Sequence, residues 1–159
     1  MRTVRTLVIT CLAVLATSAL AAPAYFVQAD MVRGAAGAMG AVCVPHSVFQ
    51  LGEMIVFRAY VFDGETGERL TAEQVEARGL TVTAQLDTGE AFEMVYSPHP
   101  PGAPEQDFYW VHGWAIPQDH PTGLFAWSVV VRDADGAEVT FEPIGSGVGL
   151  PNLTIVPAG

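Results

Sequence analysis

The stretch "LTVTAQLD" (80–87) alternates without a break, with Leu80, Val82, Ala84 and Leu86 on one side and Thr81, Thr83 and Gln85 on the other. A chain with period two can bury one side only as a strand in a sheet, because successive side chains of a strand point to opposite faces. The same habit recurs in short runs bounded by turn residues. "MIVFRAYVFD" (54–63) is rich in β-branched and aromatic residues and is followed by "DGETGE", so it reads as a central strand. "DTGE" turns 80–87 into "AFEMVYS", which predicts a hairpin over 80–97. "LFAWSVVVRD" and "AEVTFEPI" form a second hairpin through "DADG", where Gly136 supplies the positive φ. "NLTIV" (152–156) closes the series. Only "TAEQVEARG" departs from it. Thr71 with Gln74 is a capping box and Gly79 a helix stop, which predicts a short helix over 72–78. Short strands without intervening helices predict an all-β fold: an antiparallel immunoglobulin-like β-sandwich of about seven strands with one short helix.

The first residues set the compartment. "MRTVRTLVITCLAVLATSALAAPA" has Arg2 and Arg5, an apolar run from Leu7 to Leu20, and a small-x-small site at Ala19-Leu20-Ala21. That order predicts a signal peptide over 1–21, with an uncleaved anchor as the alternative. Cys11 leaves with the leader. The expected product is periplasmic or secreted, and no later apolar segment is long enough to span a membrane. "AYFVQADMVRG" offers one strand and "GAAGAMGA" is flexible, so 22–41 is read as a flexible N-terminal segment and 42–159 as the domain. Loss of Arg2 and Arg5 moves the formal charge from −10 to −12, with five Arg and no Lys left, a surface that repels nucleic acid.

"LGEMIVFRAYVFDGETGERL" and "WAIPQDHPTGLFAWSVVVRDADG" together resemble macroglobulin-like and related bacterial immunoglobulin-like domains of exported proteins. The shared features are a Gly-Glu opening a strand, a D-x-x-T-G turn, a Pro-x-Gly before a late strand and an Asp-x-Gly hairpin. The resemblance spans Val48 to Val156 and implies an adhesive, spacing or subunit-docking module. No Gly-Cys-Gly-Glu-Gln stretch is present, so the thioester activity of the large members is not implied.

Reactive side chains are few. Cys43 and His46 stand three apart in "AVCVPHSVF", and with Cys11 removed Cys43 has no partner within the chain. Thiolate and imidazole suit copper or zinc, and His99 in "YSPHPPG" or Met54 would have to complete such a site. The metal candidates are therefore Cys43, His46 and His99, copper favoured; the bland reading is a buried thiol beside an exposed histidine. His112 shares a face with Phe108, Trp110, Trp114 and Ile116, which predicts a packed core imidazole; a sugar-stacking face at Trp110 and Trp114 is the alternative. His99 and His120 lie in Pro-rich loops and would pair if both loops met at one end. Ser47 lacks a Gly-x-Ser-x-Gly context and Asp133 and Asp135 serve a turn, so no enzyme and no catalytic residue is expected. The resulting expectation is an exported, non-catalytic binding or accessory module that docks on an envelope or secreted protein, with periplasmic metal binding as the alternative.

Overall fold

A computed structural model describes residues 24–100, 102, 106–145, 147 and 153–159. The leader expected over 1–21 lies outside the described residues. Among the described residues the fold is all-β, with two antiparallel sheets, a small third sheet that mixes parallel and antiparallel pairing, and one short helix. Its elements in chain order are β1 (Tyr25–Arg33), β2 (Val48–Gln50), β3 (Met54–Asp63), α1 (Ala72–Arg78), β4 (Thr81–Leu86), β5 (Ala91–Glu93), β6 (Val95–His99), β7 (Asp107–Ala115), β8 (Gly123–Phe125), β9 (Trp127–Arg132), β10 (Glu138–Phe141) and β11 (Leu153–Val156). They build a first sheet ordered β1-β3-β7-β6, a second ordered β10-β9-β4-β5, and a small third sheet ordered β2-β11-β8. Among the described residues no helix is long and apolar enough to cross a membrane.

Alternation decides which side of each strand is dry. Ile55, Phe57, Ala59 and Val61 on β3 are buried, as are Val82, Ala84 and Leu86 on β4 and Trp127, Val129 and Val131 on β9. All ten belong to one hydrophobic cluster shared by the first two sheets. Phe57 ties them together, with its ring 5.7 Å from Trp127 and 5.5 Å from Phe92. Burial of side chains this size contributes about 1.5–3 kcal/mol each, so this seam is the main source of stability.

The described strands number eleven rather than about seven. Two long runs change sheets partway. Residues 91–99 pair with β4 as β5 and then with β7 as β6, crossing at the buried Met94. Residues 123–132 pair with β11 as β8 and then with β4 and β10 as β9, crossing at Ala126. The hairpin expected over 80–97 therefore ends at Glu93. The second expected hairpin is present, with Arg132 opposite Glu138. Asp133 accepts from the N–H groups of Asp135 and Ala137 in its turn.

The flexible reading of 22–41 does not hold over Tyr25–Arg33. All nine residues pair with β3, from Tyr25 opposite Asp63 to Arg33 opposite Ile55, and Tyr25, Met31 and Val32 are buried. The first sheet thus starts at Tyr25, not near Val42. The Gly/Ala stretch that follows is held too. Glu53, 1% exposed, accepts from the N–H of Met39 at 2.9 Å and of Gln50 at 2.7 Å. Arg33 Nε lies 2.7 Å from the same carboxylate, a charge contact whose N–H direction misses hydrogen-bond alignment. Burial opposes the charge of Glu53, but the two backbone donors and Arg33 outweigh it and hold its carboxyl below the usual range. Gly37 has φ +67° and sits so close to the Gly52 carbonyl that a Cβ would lie 2.2 Å from that oxygen.

The helix forms where its caps predict. Thr71 accepts from Gln74 N–H, Gln74 returns a bond to Thr71 N–H, and Gly79 ends the helix in the left-handed region. Arg78 in its last turn pairs with Asp63 at 2.6 Å. That guanidinium and the N–H groups of Thr66 and Glu65 hold the Asp63 carboxyl down to about 2.

Candidate functional site

The strongest concentration of specific side chains lies on the outer face of the first sheet, opposite the core. Register places Phe26 beside Phe62, Gln28 beside Tyr60 and Asp30 beside Arg58. It also places Arg58 beside Val111, Val111 beside Val95, and Asp107 beside His99. Phe26, Asp30, Arg58, Tyr60, Phe62, Val95 and Val111 each adjoin a buried residue, so the same alternation that fills the core also builds this face.

Charge is paired across the strands here. Arg58 forks onto Asp30 through Nε at 2.8 Å and an Nη at 2.5 Å, and its charge is near enough to bear on the Tyr109 phenol. Tyr60 donates its hydroxyl to Asp107, which also accepts from Arg69 at 2.8 Å. The Arg69 guanidinium rests 4.7 Å from the centre of the Tyr60 ring, and Tyr60 meets Tyr109 edge-on at 5.8 Å. Asp107 is held below its ordinary value by the Tyr60 hydroxyl and Arg69, and Tyr60 is pushed up by that same bond. Burial pushes Tyr109 up. Both phenols therefore stay protonated near neutral pH and act as hydroxyls, not as bases. Between them Gln28, Asp30, Arg58, Tyr60 and Tyr109 line a cavity of about 120 Å³ over the paired β1 and β3 strands at Ala29 and Ala59.

The metal candidates are divided by the fold. Segment 43–46 runs along the second edge of β1, with Cys43 N–H bonded to the Arg33 carbonyl and His46 N–H to that of Met31. Cys43 is exposed, contrary to a buried thiol, and has φ +59°. Its thiol lies close enough to Tyr109 to bear on that phenol, and the His99 ring is 5.3 Å from the same tyrosine. His46 instead packs edge-on against Phe49 at 5.5 Å. Cys43 and His99 thus flank one residue while His46 turns elsewhere. Among the described residues no three His, Cys, Asp or Glu side chains converge as a metal-holding group.

The other histidines serve packing. His112 has Nδ1 2.8 Å from the Glu93 carbonyl and stacks on Phe92 at 5.3 Å, half-buried within the aromatic seam. His120 is buried between Trp114 and Phe125, with Nδ1 2.8 Å from the Pro121 carbonyl and Nε2 3.1 Å from Glu90. It is a clamp between two turns rather than an exposed loop residue. His99 and His120 flank opposite ends of β7, so the pairing that a shared loop end would give does not occur. Trp110 is buried against Tyr96 and Trp114 is half-buried against Phe92 and His120, so neither ring face is free as a sugar platform.

Reading the sequence singled out none of Asp30, Arg58, Tyr60 or Tyr109. The signal was present in "FRAYVF", where Arg58, Tyr60 and Phe62 occupy the wet side of a central strand. Two rings and a guanidinium are unusual on a face whose only duty is solvation, since aromatic residues and Arg are the side chains that interfaces favour. Compared with known proteins, the chain matches no family model, and no curated relative matches it.

Proposed function

We propose that this chain is an exported, non-enzymatic immunoglobulin-like β-sandwich that docks on an envelope or secreted protein through the outer face of its first sheet. The observation that carries the reading is the make-up of that face. Phe26 and Val95 are more than half exposed, and they frame Tyr60, Phe62, Val111 and the paired Arg58 and Arg69. Aromatic and arginine anchors set in fixed positions are the usual energetic centre of a protein interface. The outward residues of the second sheet are mostly Thr, Ser, Gln and charged side chains, which suit water. The likeness to macroglobulin-like domains, the periplasmic or secreted location and the docking role are parts of one proposal.

The test uses the tagged, exported protein recovered from the intact envelope. Replacing Phe26 and Val95 together by Asp should abolish co-purification of the partner, while replacing Thr83 and Thr140 together by Asp should leave it. Equal retention by both variants, or equal loss, overturns the proposal. Metal binding remains a second reading because Cys43 and His99 flank the same tyrosine. It requires that the purified protein take up copper or zinc stoichiometrically and that Cys43→Ser abolish the uptake; trace metal in both rules it out.

A further inference from the structure

The cavity on the outer face of the first sheet has a size and a lining that select a ligand class. Its volume is about 120 Å³. An enclosed space of about 150 Å³ takes a benzene-sized ring, so this one accommodates a single six-membered ring that remains partly proud of the surface.

The lining decides which ring. Asp30 and Arg58 already neutralise each other through the two-bond fork. An ionic ligand would compete with that pair and leave one of its members unmatched, whereas a neutral ligand leaves it intact. Hydrogen-bonding capacity is left over. A guanidinium carries five N–H bonds; two of Arg58 go to Asp30. Each carboxylate oxygen of Asp30 keeps a lone pair beyond the fork. The exposed Gln28 amide, which offers both donor and acceptor, has no hydrogen-bond partner among the described residues. Donors and acceptors therefore alternate around the rim, beside the apolar edges of the Tyr60 and Tyr109 rings, while the methyls of Ala29 and Ala59 point through the sheet to the core.

We propose that this cavity is a subsite for one neutral sugar ring, its hydroxyls held by Gln28, Asp30 and Arg58 and its C–H surface resting on the tyrosine edges. A pyranose presents the same alternation of hydroxyl and C–H around a single ring. Recognition is by hydrogen bonding rather than by stacking, because Arg69 rests on the Tyr60 ring and His99 lies beside Tyr109. The site goes beyond the docking reading and does not rest on it.

The test is an amide-shift titration of the purified protein with methyl glucoside, methyl galactoside and N-acetylglucosamine, each beside an oligosaccharide built from the same unit. Perturbation grouped at residues 28–30, 58–60 and 109 by at least one neutral sugar is expected. Gln28→Ala and Asp30→Ala should each weaken that binding by at least about three- to tenfold, the worth of one hydrogen bond, and Thr83→Ala should leave it unchanged. Tighter binding of the oligosaccharide at the same amides assigns the site to a glycan chain; equal binding assigns it to a free sugar. The proposal is overturned if no sugar moves those amides in the folded protein, if acetate or guanidinium moves them and sugars do not, or if both variants bind as wild type does. The titration contains no partner protein, so its failure leaves the docking reading standing, and the reverse also holds.

Discussion

The two large sheets share one core and present opposite outer faces. On the first, Phe26, Tyr60, Phe62, Tyr109 and Val111 sit among Arg58 and Arg69, each of which holds a carboxylate from a neighbouring element. On the second, register sets Thr83 between Val130 and Glu93, Gln85 between Ser128 and Ala91, and Arg132 between Thr81 and Glu138. The Arg132–Glu138 pair is about half exposed on both sides, whereas Arg58 keeps 30% of its side chain in water. Identical alternation on the dry side thus permits very different wet sides. Core packing constrains every second residue, and the residues between are left to function or to solubility.

The largest expected effect lies beneath the loop that borders the first face. Glu53→Ala leaves Arg33 and two backbone donors without their acceptor and should cost about 3–5 kcal/mol, measured by urea unfolding. Hydrogen exchange should then show protection lost over 34–46 and retained over 81–86. Matched losses in both segments would mean that the loop is not a separate device.

Arginine deletion separates the two faces more finely. Arg58→Ala should cost about 1–2 kcal/mol, because it leaves the half-buried Asp30 without its two-bond partner, while Arg132→Ala should stay within about 0.5 kcal/mol. Equal costs would erase the distinction between a fixed face and a solvated one.

Acid should act first on the bordering loop. Glu53 has a folded value below its ordinary 4.5, so its contribution is complete above that pH and is lost as the pH falls through the folded value. Asp63 follows the same sign, its contribution fading between 3.8 and about 2. Stability should therefore decline below about pH 4.5 in wild type, and Glu53→Gln should flatten the upper part of that decline. An unchanged profile in the variant would show that Glu53 does not carry it. The smallest effect belongs to Thr83→Ala and Thr140→Ala, each expected within about 0.5 kcal/mol and without influence on binding.

Local signals were readable and remote ones were not. The helix at 72–78 follows from Thr71, Gln74 and Gly79, and the hairpin at Asp133–Gly136 from turn chemistry, because each is decided within a few residues. The sheet changes at Met94 and Ala126 were hidden, since the alternation of side chains runs straight through both. The place of Tyr25–Arg33 in the first sheet was obscured by the Gly/Ala stretch after it, which is ordered by Glu53 from the turn between β2 and β3. The outer-face cluster was the least legible. Asp30, Arg58 and Tyr109 come from three strands, and only their register brings them together. The candidate pairing of Cys43 with His46 did not foresee that residue 43 is left-handed and exposed while His46 packs on Phe49.

The most direct measurement places a photo-activated cross-linking residue at position 95 in one variant and at position 83 in another, in cells that export the protein. The account predicts a discrete cross-linked partner from position 95 and none from position 83. Cross-linking from position 83 alone, or from neither, would contradict the assignment of the binding face to the first sheet.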